Sequence, residues 1–144
     1  MVKYSIVVFL FLLLVTSCSV GPKPIAYGTD GCHFCRMTIV DRQHAAEIVT
    51  DKGKAFKFDS SECMMNHLKN IDEKQVALYL VNDYDKPGEL INATKATYLF
   101  SERIPSPMGE FLTAFKTEQA AVDALMTHEG DLLTWEQLKL RFGL

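Results

Sequence analysis

Beyond residue 28 the apolar positions fall in short blocks broken by turn residues, not in one long periodic stretch. Residues 45–50 and 54–58 are apolar-rich runs flanking Asp51-Lys52-Gly53, which predicts a β-hairpin. Asp59-Ser60-Ser61-Glu62 then reads as a helix entry, with Asp59 as cap and Glu62 three residues on. Met64, Leu68 and Ile71 follow at helical spacing, so the helix is expected over about residues 60–70. Residues 76–81 read as a strand, Lys86-Pro87-Gly88-Glu89 as a turn, and 96–100 as a further strand. The stretch Pro105-Ser106-Pro107-Met108-Gly109 carries no regular pattern. Residues 117–129 predict a helix with Gly130 just past its end, and Thr134 with Gln137 can cap a last short helix running through Phe142. The order is that of an α+β protein with small antiparallel sheets and packed helices. A strand-strand-helix unit could occur twice, although no internal sequence repeat is strong enough to assert it.

The first residues follow a different rule. Lys3 and Tyr4 precede an unbroken apolar run from Ile6 to Val15, which stops at Thr16-Ser17-Cys18. A charged start, an apolar stretch and small residues before a break make a secretory signal, and the run is short of the roughly 20 residues a membrane span needs. Val15-Thr16-Ser17-Cys18 resembles the bacterial lipobox, in which cleavage before the cysteine leaves that thiol to be lipidated. The expected organisation is therefore a signal peptide over 1–17, a lipidated tether over 18–27 containing Gly21, Pro22 and Pro24, and a folded domain over 28–144. Ser19 after the lipidated cysteine resembles lipoproteins sorted to the outer membrane.

Export changes how the cysteines are read. The chain has 4 cysteines, and lipidation of Cys18 leaves Cys32, Cys35 and Cys63, an odd number that cannot all pair within one chain. At least one is free, bridged to a partner, or bound to a metal, in a compartment where a disulfide is the default. The net charge of −3 favours no nucleic-acid partner.

The order of elements brings these thiols into one frame. A Cys-x-x-Cys loop, a hairpin and a helix carrying Cys63 and His67 four residues apart is the arrangement of a treble-clef metal site. Cys32, Cys35, Cys63 and His67 would supply a tetrahedral set suited to zinc. The alternative pairs Cys32 with Cys35 in a disulfide and leaves Cys63 buried as a small apolar residue. Met37 lies two residues past Cys35, and in an extended segment such residues face the same side, so a thiolate and a thioether can meet one ion. A thioether suits Cu(I) and adds little for zinc. Met64 falls on the apolar helix stripe and reads as core, and Met65 fits surface or core equally. Met108, in an irregular segment, fits either a pocket rim or simple packing. His33, His44 and His128 are isolated histidines.

Taken together, Cys32-His-Phe-Cys35-Arg-Met37, His44-Ala-Ala-Glu47, Phe58-Asp-Ser-Ser-Glu-Cys63-Met64, Ser106-Pro-Met108-Gly109 and Leu133-Thr-Trp135-Glu136 resemble the NosL family, copper-binding lipoproteins accessory to nitrous oxide reductase. The resemblance covers nearly all of the chain after the tether. It implies a periplasm-facing lipoprotein that holds Cu(I) and passes it on for assembly of the reductase's copper-sulfide cluster, alongside an ABC-type maturation transporter complex. It implies treble-clef-like strand-strand-helix units similar to those of organomercurial lyase. Carried over by position, Cys35 and Met37 are the metal site and Met108 the next donor, with Cys63, Cys32 and His67 as supporting members. Many relatives have Gly between that Cys and Met. Here the position is Arg36, whose charge is expected to draw Cys35 towards thiolate.

Two rivals remain at this level. One is a structural zinc domain. The other is a thiol-disulfide exchange protein using Cys32 and Cys35, against which no clear helix follows Cys35 to lower its pKa. The sequence carries no paired carboxylates, nucleophile elbow or phosphate loop, so no catalysis is expected.

Overall fold

A computed structural model describes residues 19–144. The signal peptide and Cys18 lie outside the described residues. The predicted hairpin forms: β1 (Ala46–Thr50) pairs antiparallel with β2 (Ala55–Phe58), with Ala46 opposite Phe58 and Val49 opposite Ala55. Gly53, at φ 78°, takes the left-handed turn conformation that a residue without Cβ adopts at little cost. β3 (Val76–Asn82) joins the other edge of β1 and β4 (Leu90–Asn92) joins β3, giving the order β2-β1-β3-β4. Successive residues Ala46, Glu47, Ile48 and Val49 are all fully buried, so β1 is covered on both faces. Part of that cover is the N-terminal segment, where the Lys23 amide donates to Glu47 Oε1 at 2.8 Å.

Helix α1 (Ser61–Leu68) starts one residue later than the sequence pattern implies and stops sooner. Its cap is Ser60, not Asp59: Ser60 Oγ accepts the Cys63 amide proton at 3.3 Å. Two adjacent residues could each have capped this helix, and the serine does so. Met64 and Met65 are both fully buried, so the open reading of Met65 resolves to core. Large apolar side chains such as these each stabilise the fold by about 1.5–3 kcal/mol on burial.

The second half repeats the topology of the first. β5 (Thr97–Phe100), β6 (Leu112–Phe115) and β7 (Asp131–Leu133) form a sheet of order β6-β5-β7, with α2 (Glu118–His128) between β6 and β7. In β1-β2-α1-β3, as in β5-β6-α2-β7, a strand pair is followed by a helix and then by a strand on the far edge of the first. Phe58 and Phe115 end the second strands, both fully buried, and Ser60 and Thr117 cap the helices that follow. The chain then ends in α3 (Trp135–Phe142), which opens on the expected Thr134/Gln137 capping box and closes on Gly143.

The sequence pattern missed β4, β6 and β7. β4 and β7 are three residues long, and all four residues of β6 are buried, so none shows an alternation to read. Gly130 has a packing role as well as a place at the end of α2. A Cβ there would sit 2.1 Å from the Phe100 carbonyl oxygen, so only glycine lets β7 approach β5. Helix α1 lies at the junction of the two halves, packing on β1, β2, β6 and α3. The architecture is the expected α+β one, and the main core runs from Cys32, Ile48 and Phe58 through Cys63 and Met64 to Tyr98 and Leu138.

Candidate metal centre

The Cys32–Cys35 loop is a tight knuckle built by the backbone. Gly31 bridges Thr38, the Cys32 amide donates to the Met37 carbonyl at 2.7 Å, and the Arg36 amide donates to the Cys32 carbonyl at 3.0 Å. The His33 amide donates to the Lys57 carbonyl at 2.8 Å, which fastens the knuckle to β2. Lys57 Nζ bonds Asp30 Oδ2 at 2.7 Å from the same strand, tying down the approach to the knuckle. This geometry corrects one premise. Cys35 lies in a turn and Arg36 has φ 70°, so residues 35–37 are not an extended segment and strand alternation does not align Cys35 with Met37.

The knuckle and the start of α1 converge. One donor atom each from Cys32, Cys35, Asp59 and Cys63 lie within 4.8 Å of one another. Cys32, Cys63 and Asp59 are almost fully buried, Cys35 is half-buried, and the three cysteines are free thiols. The Cys35 thiol donates to Asp59 Oδ2 at 3.4 Å, while Asp59 Oδ1 is buried without a partner among the described residues. The Cys32 sulfur accepts from the Cys63 thiol and from the amides of Asp59, Cys35 and Phe34. These bonds outweigh burial and draw its pKa down to about 6. Cys63 is pushed far up, because its proton is committed to Cys32 and it is buried. The expectation that Arg36 draws Cys35 towards thiolate is not met: burial raises Cys35, and the neighbouring Cys32 and Asp59 add to the effect. The low-pKa sulfur is Cys32.

The remaining sequence candidates are placed differently. The His67 ring is not among the converging donors. It packs 5.3 Å from the Phe58 ring centroid and 5.0 Å from that of His33, with Nε2 buried and unpartnered among the described residues. Burial lowers its pKa, with His33 adding to the effect, so it is kept neutral. Met37 is 51% exposed beside the knuckle. Met108 is partly buried and packs against the main core. His44 is buried, with Nδ1 3.0 Å from Asp41 Oδ2. Sequence reasoning missed Asp59 as a donor because it assigned that residue to the cap. The signal was present in the Asp59-Ser60 pair: one helix start uses one cap, and the other polar side chain is left for something else.

Four donors converging from a knuckle and a helix start are a set able to hold one soft or borderline metal ion. The model of the family described as NosL matches residues 25–141. The chain belongs to the NosL family. It is 30% identical over 125 residues to the copper-binding lipoprotein NosL of Stutzerimonas stutzeri, over 81% of this chain, and spans 66% of that relative's length. The crystal structure of the copper chaperone NosL from Shewanella denitrificans has the same fold, with a TM-score of 0.69 at 24% identity, covering 83% of this chain and 96% of that one. The NosL fold therefore places a cysteine knuckle against a cysteine-bearing helix start in this member.

Proposed function

We propose that the protein is a lipid-anchored, periplasm-facing carrier of Cu(I), without catalytic activity, that delivers its ion to the maturation of nitrous oxide reductase through the ABC-type transporter complex serving that process. The observation that carries this reading is the convergence of Cys32, Cys35 and Cys63, with Cys35 only half-buried and Met37, two residues further on, exposed. The names of the NosL relatives support copper as the cargo.

The donors are graded from interior to surface. Cys32 and Cys63 are sealed, Cys35 is half-buried, and Met37 reaches solvent. Soft sulfur ligands hold Cu(I) in low coordination, and an exposed edge lets an acceptor's donor attack before the first ligands leave. Cys35 and Met37 are the core of the transfer site on this reading, with Cys32, Cys63, Asp59 and Met108 supporting it. The anchor would hold the thiol cluster close to the membrane. From Cys18 to Lys23, whose amide is pinned to Glu47, the chain can span at most about 18 Å. Ser19 supports the outer membrane as the destination.

Anaerobic titration of the reduced protein with Cu(I), alongside Cys35→Ser and Met37→Leu, tests the assignment. Both variants are expected to bind more weakly, and unchanged affinity in both rejects this placement. One observation favours a second reading: Asp59 oxygen with three thiols is also a donor set zinc accepts. Tightly held zinc with no measurable affinity for Cu(I) would establish a structural zinc site instead.

A further inference from the structure

Glu62 is fully buried one residue before Cys63. A carboxylate in that position is unfavourable unless hydrogen-bonded. Its partners come from the other half of the molecule. Oε1 accepts from the Ser106 hydroxyl at 2.5 Å and from the Leu112 amide at 3.2 Å. Ser106 Oγ in turn accepts the Phe111 amide proton at 3.0 Å, and the Gly109 amide donates to the Ser106 carbonyl at 2.9 Å. Both ends of the segment carrying Met108 are thereby gathered onto one oxygen atom of α1. Among the described residues Oε2 has no partner, so every hydrogen bond this carboxylate makes there goes to the segment.

The segment needs such a fixture. Gly109 has φ 70° and Phe111 has φ 60°, and a bulky residue in the left-handed region persists only where its surroundings over-determine it. Of the three non-glycine residues with positive φ among those described, Arg36 adjoins Met37 and Phe111 follows Met108. Both segments that present a candidate methionine are thus bent into an unfavourable backbone shape and held there. The knuckle is held by its own backbone bonds. The Met108 segment is held by Glu62.

We propose that Glu62 is a positioning residue, which sets Met108 relative to Cys63 through the Ser106 hydroxyl and the Leu112 amide. The proposal rests on the reading of Met108 as a supporting donor. Apolar packing could bury the same surface, but it would not fix the register of an irregular segment as directional hydrogen bonds to one acceptor do.

The test compares Cu(I) affinity, by anaerobic chelator competition, in the wild type, Met108→Leu, Glu62→Ala, Glu62→Gln and the Met108→Leu/Glu62→Ala double variant. Glu62→Ala is expected to weaken binding by about 10- to 100-fold, matching Met108→Leu, with no further loss in the double variant. Glu62→Gln, which keeps an acceptor oxygen, recovers most of the loss. Losses that multiply in the double variant overturn the proposal. Ser106→Ala makes the same comparison if Glu62→Ala does not fold. In the metal-free protein, the Met108 methyl resonance is expected to move in Glu62→Ala and Ser106→Ala and to stay in Glu62→Gln. A resonance that stays fixed in all three also overturns the proposal. If Met108→Leu alone binds Cu(I) like the wild type, the donor reading of Met108 fails, and the methyl resonance still decides the positioning role.

Discussion

Cys35 Sγ donates to Asp59 Oδ2 at 3.4 Å, so the half-buried thiol of the knuckle faces the carboxylate that precedes the helix cap. An oxygen donor inside a sulfur group discriminates between metals, since carboxylate adds more for zinc than for a soft monovalent ion. Asp59→Asn removes that charge while keeping the volume. It is expected to weaken zinc binding by about tenfold or more and Cu(I) binding less, measured by competition with chelators for each metal. An equal loss for both ions would show that Asp59 acts on the fold, not on the choice of metal.

Arg36 occupies a position whose φ of 70° suits glycine. A side chain in this region costs about 1–2 kcal/mol. Arg36→Gly is therefore expected to raise the thermal midpoint by a few degrees, followed by circular dichroism. A lowered midpoint would mean that the exposed guanidinium makes a contribution larger than the strain.

Asp30 supplies the acid-sensitive link to the knuckle. Its Oδ2 accepts from Lys57 Nζ and the Ala26 amide, both at 2.7 Å, and the lysine bond is the larger cause of its lowered pKa. A depressed folded-state pKa contributes stability above the unfolded value of about 3.9, and that contribution is lost as pH falls through the folded value. Asp30→Asn should thus destabilise the protein by about 1 kcal/mol at neutral pH, a modest figure because the pair is partly solvated. The difference should vanish in strong acid. Urea melts of both proteins at several pH values check this, and a gap that persists below the folded pKa contradicts it.

Ser60 and Thr117 cap equivalent helices, each accepting the amide of the third helical residue. Ser60→Ala and Thr117→Ala are each expected to cost about 1 kcal/mol in denaturant unfolding. Only Ser60→Ala should also weaken metal binding, because the amide it leaves free belongs to Cys63. Equal metal affinity in the two variants would separate the cap from the site.

The strongly patterned parts of the fold were legible in the sequence. The first hairpin, α1, α2 and α3 all follow from runs long enough to show a period and from side chains that cap, as at Thr134 and Gln137. The three thiols were legible as a group because a knuckle and a helix start lie on either side of a hairpin. Asp59, Glu62 and Ser106 were not, because local reading gives the first two a local task and finds no pattern around the third. An aspartate before a helix looks like a cap and a glutamate beyond it like a capping partner. Glu62 reaches Ser106 across 44 positions of sequence, and no periodicity records that contact. The turn at Cys35 was also hidden, since Arg36 gives no sign that its backbone is left-handed.

The duplicated topology divides labour between its two copies. Where the first has Phe58, Asp59 and Cys63, the second has Phe115, Lys116 and Ala120 at the same intervals: the structural aromatic is kept, a cation replaces the carboxylate, and a methyl group replaces the thiol. The second copy is a mould without donors of its own at these places. What it has instead is a long connection between β5 and β6, where the first copy makes a tight turn, and that connection extends to its neighbour's helix. The two copies are therefore coupled at one helix: the first carries the converging sulfur atoms, and the second reaches across to grip the residue beside Cys63.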